Sequence, residues 1–310
     1  MLVRAALMLA MVLAAGPVVA APPSLAFRPA GEGLYEFHTG PLKGRLKLDG
    51  KYQGLYPLVD AASGAELVHP PGIFSFYRVF SGNTRFGANA RDWPTTSKLL
   101  SDGAVEVRFP SAKEHPLEIT GVYRWKAADT LDLDLSVRPE QAMPRFELFM
   151  SSYFGKTFVA SVYLKPEGAQ KPGFVPVDRK PQSPGAYVMF PRDAQAVEMI
   201  RDGRWKVGAN PVDWAIEQWL AAPIFVRRDA SAGLTALMIC PPEDCFAVSS
   251  PWNPAKLDAP GYRSVYLSLF GRDLQAGQTA KARCRVVIAR NLPDEKAMRR
   301  YQEYLGEQKR

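Results

Sequence analysis

Apolar and polar residues alternate with a period of two along most of the chain. Arg45-Leu46-Lys47-Leu48-Asp49 shows the pattern early, and Val105-Glu106-Val107-Arg108-Phe109 and residues 131–137 show it in the middle. Residues 265–270 and 282–289 read the same way. Successive side chains of a strand point to opposite faces, so the alternation predicts strands with one face in a core and the other toward water or a ligand. Turn residues fall between them: Asp49-Gly50, Ser63-Gly64, Asp102-Gly103, the segment 229–233 and Ala276-Gly277. Strands at this spacing predict an all-β fold, a large antiparallel β-sandwich. No strand alternates with a long amphipathic helix, which argues against a doubly wound α/β enzyme.

Two segments break the pattern. Residues 165–185 hold five Pro and three Gly, predicting a long connection. Near the end, Asp294 and Glu295 precede Ala297, Tyr301 and Leu305 on one helical face, predicting a short C-terminal helix over 293–310. The N-terminus has the form of an export signal. Arg4 precedes an apolar run over 5–15, Gly16-Pro17 breaks it, and Val18-Val19-Ala20 offers a cleavage site after Ala20. The run is shorter than the roughly 20 residues that span a bilayer, so no stable membrane insertion is expected. The expected organisation is a signal peptide 1–20, one sandwich domain 21–292 and the helix 293–310. Localisation is then secreted or periplasmic.

Composition changes the picture in three places. The chain has 39 basic and 31 acidic residues, +8 in all, but the charges are interleaved, as in Arg91-Asp92, Arg192-Asp193, Arg201-Asp202 and Arg272-Asp273. Without a basic stripe or a recognisable module, no nucleic-acid partner is expected. The three cysteines are Cys240, Cys245 and Cys284, and in an oxidising compartment Cys240 and Cys245 are expected to close a short disulfide loop. Histidine is scarce: only His38, His69 and His115 occur, so zinc is disfavoured. No phosphate loop, dinucleotide fingerprint, serine-hydrolase elbow or acidic calcium loop is present, and no cofactor or metal is expected.

The densest chemistry lies between Phe74 and Pro94, where Arg78, Arg85 and Arg91 interleave with Tyr77, Phe80, Phe86 and Trp93. Aromatic faces with guanidinium donors suit a sugar, which offers an apolar C–H face and a hydroxyl rim; Arg also matches a carboxylate. The competing arrangement packs the rings in the core and pairs the arginines with Asp92 and Glu106. A second cluster runs from Arg145 to Phe154, with Glu147 among apolar neighbours and Ser152 and Tyr153 at its end. Burial suits such a carboxyl to acid–base work. Trp205, Asp213-Trp214, Trp219 and Trp252 form either a stacking platform or core filling, with Asp213 a helix N-cap.

Gly44-Arg-Leu-Lys-Leu-Asp-Gly50, Leu55-Tyr-Pro-Leu-Val-Asp60 leading to Ser63-Gly64, and Leu274-Gln-Ala-Gly-Gln-Thr279 before the last strand resemble the hairpins of galactose mutarotase-like domains. The resemblance implies a β-supersandwich and a carbohydrate (poly- or oligosaccharide) partner. Aldose epimerases use a mid-domain His and a late Glu, and no His follows His115, so their acid–base pair finds no match here. The expected function is an exported carbohydrate-active or carbohydrate-binding protein. Its expected cleft has Tyr77, Arg78, Arg85, Arg91, Trp93 and Tyr153 binding and Glu147 with Asp92 as a catalytic carboxylate pair. The alternative is a non-catalytic envelope or extracellular module that binds glycan or protein.

Overall fold

A computed structural model describes residues 23–166, 171–216, 218–256 and 263–308. The expected signal and its cleavage after Ala20 lie outside the described residues. A meander of β1 (Ser24–Gly31), β2 (Leu34–His38), β3 (Leu42–Lys47) and β4 (Gly54–Asp60) forms a four-stranded sheet. Next come β5 (Ser75–Ser81), β6 (Thr84–Arg85), β7 (Thr96–Leu99), β8 (Val105–Phe109) and β9 (Leu117–Ala127). Then follow β10 (Thr130–Pro139), β11 (Met143–Phe154), β12 (Val159–Leu164), β13 (Gly173–Pro176) and β14 (Tyr187–Pro191). After α1 (Ala194–Arg201) the strands resume as β15 (Trp214–Ile216), β16 (Leu220–Asp229) and β17 (Leu234–Ile239). The chain continues through β18 (Cys245–Pro251), β19 (Arg263–Leu274), β20 (Ala280–Arg290) and α2 (Asp294–Gln308).

Nine strands form one sheet in the order β13-β12-β16-β17-β20-β10-β9-β8-β7, and seven form the other as β15-β14-β18-β19-β11-β5-β6. Among the described residues, β14 and β15 run parallel and the other paired strands antiparallel. The expected sandwich and C-terminal helix are therefore present, and the proline-rich connection carries β13, paired along β12. The inner faces meet in one large core where Val105, Val107 and Phe109 of β8 join Phe76 of β5, whose ring lies 4.6 Å from that of Phe109. α2 covers the opposite face of the nine-stranded sheet with Ala297, Tyr301 and Tyr304. Arg285 ties it down, binding Asp132 at 2.6 Å and Glu307 at 2.6 Å while its guanidinium lies 4.4 Å from the Tyr304 ring.

β11 departs from simple alternation, because every residue from Phe146 to Phe154 is buried. Leu148, Met150 and Phe154 enter the main core, whereas Phe149 and Tyr153 join a second apolar cluster on the outer face. That face is covered by α1 and the turn 204–206, contributing Met199, Ile200 and Trp205. α1 is capped by Asp193, whose carboxylate accepts from the Ala196 amide at 2.9 Å.

The expected Cys240–Cys245 disulfide is absent: both are free thiols, buried with Cys284 in the main core. Burial pushes all three thiols up, so they pack as small neutral apolar groups. The turn between them is fixed without a bridge. Asp244 N donates to Pro241 O, Phe270 N to Asp244 O at 2.9 Å, and the Asp244 carboxylate accepts from Arg283 N at 3.0 Å.

Gly72 lies where the chain crosses from β4 to β5, at φ 94°, and a Cβ there would come 2.0 Å from the Leu55 carbonyl oxygen. Overpacking costs about 1–3 kcal/mol and left-handed strain a similar amount, so Gly72→Ala is expected to lower unfolding free energy by at least about 2 kcal/mol. Gly50→Ala has φ 64° but nothing within 4 Å and is expected to cost about 1 kcal/mol. Urea denaturation of the two variants checks the difference.

Candidate functional site

The outer face of the seven-stranded sheet is left open beside Trp205, and a cavity of about 310 Å³ forms there. Its apolar wall is aromatic: Tyr77 of β5, Phe149 of β11, Tyr187 of β14, Tyr266 of β19, and Trp205 with Trp214. Phe149 and Tyr266 stack at 4.9 Å with 13° between planes, and Trp205 meets Phe149 edge-on at 4.7 Å and Trp214 at 5.1 Å. Arg78, Asn210, Pro211 and Val212 complete the lining. No carboxylate and no imidazole lines this cavity among the described residues. Burial pushes the Tyr266 hydroxyl well up, so it stays a neutral donor and acceptor.

The arginines of the 74–94 stretch build the roof. Arg78 donates to the Asn210 carbonyl at 2.9 Å and Arg85 to the Ala209 carbonyl at 2.6 Å, drawing residues 208–211 over the cavity edge. The Arg91 guanidinium lies 4.6 Å from the Tyr77 ring centroid and that of Arg78 5.0 Å from it. Burial and the neighbouring Arg78 push Arg85 down to about 10.

Of the expected site residues, Tyr77 and Arg78 line the cavity, while Arg85 and Arg91 support it. The others fall elsewhere. Trp93 is buried and stacks on His115 at 3.8 Å with 5° between planes. Tyr153 is packed edge-on to Tyr266 at 6.2 Å, one layer behind the lining. Asp92 is exposed on a single turn and accepts from Asn89 at 2.9 Å. Glu147 is 1% exposed and bound at 2.8 Å to Arg204, itself fully buried and also bound to Asp202 at 2.8 Å. Glu147 and Asp92 thus form no catalytic pair: one is consumed by a structural ion pair and the other lies outside the cavity. Burial pushes the Glu147 carboxyl up and Arg204 pulls it back. Glu106, the other expected arginine partner, binds Lys98 instead.

Phe149, Tyr187, Asn210 and Tyr266 are site residues missed by local reading, since three separate strands and a loop bring them together. Trp205 and Trp214 of the tryptophan group belong to the site, whereas Trp219 is exposed beneath Lys165. Asp213 caps no helix: β15 follows it, and its side chain pairs with Lys206. A larger groove of about 640 Å³ crosses the solvent face of the four-stranded sheet, lined in part by Arg28, Lys43 and Arg45, but no Trp or Tyr lines it.

No family model matches the chain, and no curated protein matches it in sequence. Among solved structures, a putative aldose 1-epimerase from Escherichia coli K12 aligns with a TM-score of 0.50 at 13% identity, over 84% of this chain and 100% of that one. A galactose mutarotase-like protein from Clostridium acetobutylicum gives 0.47 at 12%, over 83% and 95%. The heparan sulfate lyase HepC of Pedobacter heparinus gives 0.47 at 8%, over 87% and 37%. The chain shares the large antiparallel β-sandwich fold of the Escherichia coli protein, the fold that its sequence resemblance leads one to expect.

Removing one partner of a buried ion pair strands the others, at about 3–5 kcal/mol. Arg204→Met is therefore expected to destabilise by that amount in urea, and the double variant Glu147→Gln, Arg204→Met by less than the sum of the singles. Burial holds the His115 imidazole below its ordinary value. Its unfolded form binds the proton first, so its contribution is complete above about pH 6.5 and is lost as pH falls below that. His115→Gln is expected to flatten the stability loss between about pH 6.5 and 5 in pH-dependent thermal melts.

Proposed function

We propose that the chain is an exported carbohydrate-binding protein whose aromatic cavity holds one sugar unit of a glycan. The observation that carries this reading is the wall of six aromatic rings closed by an arginine and a backbone strap. A pyranose ring has an apolar C–H face that such rings cover and hydroxyls that Arg78 and the indole N–H groups of Trp205 and Trp214 meet. Both indole nitrogens are buried without a hydrogen-bond partner, a cost that a ligand hydroxyl offsets. The volume stands at the lower end of the roughly 300–1,000 Å³ usual for ligand pockets.

Binding is favoured over glycoside hydrolysis or epimerisation because the lining carries no carboxyl group and no imidazole, whereas glycoside hydrolysis ordinarily uses two carboxyl groups. The fold shared with the E. coli protein is compatible with sugar recognition, but fold alone assigns no activity. Export through cleavage after Ala20, to the periplasm or the exterior, belongs to the same proposal, and N-terminal sequencing of the mature protein tests it.

A glycan panel read by calorimetry tests the binding. Trp214→Ala is expected to weaken the best ligand at least tenfold, about 1.4 kcal/mol, with the unfolding transition retained. Unchanged affinity in that variant removes the cavity from the function.

A further inference from the structure

We propose that the sugar held in this cavity is an acidic one, carrying a carboxylate or a sulfate ester; this rests on the sugar-binding reading above. Five arginines gather at this end of the sheet, and the local acids serve only two of them. Arg204 takes both Glu147 and Asp202, and Arg145 adds a contact to Asp202 at 3.4 Å. Arg78, Arg85 and Arg91 pair with no carboxylate among the described residues, although Arg78 is 3% exposed and Arg91 8%. The hydrogen bonds of Arg78 and Arg85 go to neutral acceptors: the Asn210, Ala209 and Ala88 carbonyls and the Tyr77 hydroxyl.

Carbonyl acceptors satisfy donors without cancelling charge. Arg78 and Arg91 both sit against the Tyr77 ring, with Arg85 beside Arg78, and none of the three pairs with a carboxylate among the described residues. Donors remain as well, since Arg78 Nε and Arg91 Nε and Nη1 are buried without partners. Holding charge out of water without a counter-charge is costly. A ligand anion beside Arg78, the arginine that lines the cavity, relieves that cost and gains charge-assisted hydrogen bonds. The rings supply the other half of the specificity: a bare inorganic anion has no apolar face to lay against Phe149 and Tyr266. The ligand that satisfies both halves is a sugar bearing an anionic group.

The test compares matched ligands on the intact mature protein, read by tryptophan fluorescence and calorimetry: galacturonate and glucuronate, glucose 6-sulfate, galactose and glucose, and inorganic sulfate. The expected result is at least tenfold tighter binding of an acidic sugar than of its neutral counterpart at low salt. That preference is expected to shrink as ionic strength rises. The uronate and sulfate arms tell the two anions apart. Arg78→Met is expected to abolish the preference, Arg78→Lys to keep part of it, and Arg91→Met, which removes a guanidinium that does not line the cavity, to reduce it. The double variant Arg28→Ala, Arg45→Ala, in the distant basic groove, is expected to change nothing. Equal affinity for acidic and neutral sugars overturns this inference and leaves the sugar-binding reading standing. Inorganic sulfate binding as tightly as the acidic sugars overturns it too. Binding of no sugar at all overturns both readings. The comparison on the unaltered protein decides the matter even where an arginine variant fails to fold.

Discussion

The ion pair of Arg204 with Glu147 and Asp202 is the constraint on which the working face of this molecule depends. A carboxylate in the middle of a buried strand is a liability, and a guanidinium fully removed from water is a larger one. Neither persists here without the other. Because Arg204 sits on the excursion that leaves β14 and returns at β15, satisfying Glu147 means laying that excursion across the seven-stranded sheet. Trp205 is carried into place beside it, and Val212 bonds back to the Trp205 carbonyl at 3.0 Å. The aromatic cavity is thus the space left at the edge of a polar staple. Its chemistry follows: the carboxyl that looks catalytic is spent in holding the wall.

Much of the architecture was legible in the chain because alternation is a local signal. The runs around Arg45-Leu46-Lys47, residues 105–109, 131–137, 265–270 and 282–289 all fall in strands, and the last helix presents Ala297 and Tyr301 as its periodicity required. α1 was not read, since an eight-residue helix with a single cap gives little periodicity to weigh. The short strand β13 was hidden by its prolines.

The site was legible only in part, for a physical reason. Tyr77 and Arg78 stood out because rings and guanidiniums crowd together in one stretch of sequence. Phe149, Tyr187 and Tyr266 are unremarkable in their own strands and become a wall only when strand order places them side by side. The apolar neighbours of Glu147 drew attention to it but left open whether it faces a cleft or solvent, and it is buried. Its role turned on a partner 57 residues away, which no local pattern discloses. The cysteines teach the same lesson: spacing suggested a bridge, and the turn proved to be held by Asp244 and backbone bonds instead.

Strand order has a consequence for how the molecule assembles. β20 is the last strand of the chain, yet it lies in the interior of the nine-stranded sheet, between β17 and β10. β19 likewise separates β18 from β11 in the other sheet. Until residues 263–290 are available, each sheet exists as two fragments with unsatisfied inner edges, and the core between them cannot close. Closure then draws together segments far apart in sequence, a topology that folds slowly. A nascent chain is therefore held open until residues 263–290 have been delivered, and β19 and β20 act as keystones that convert four half-sheets into one body.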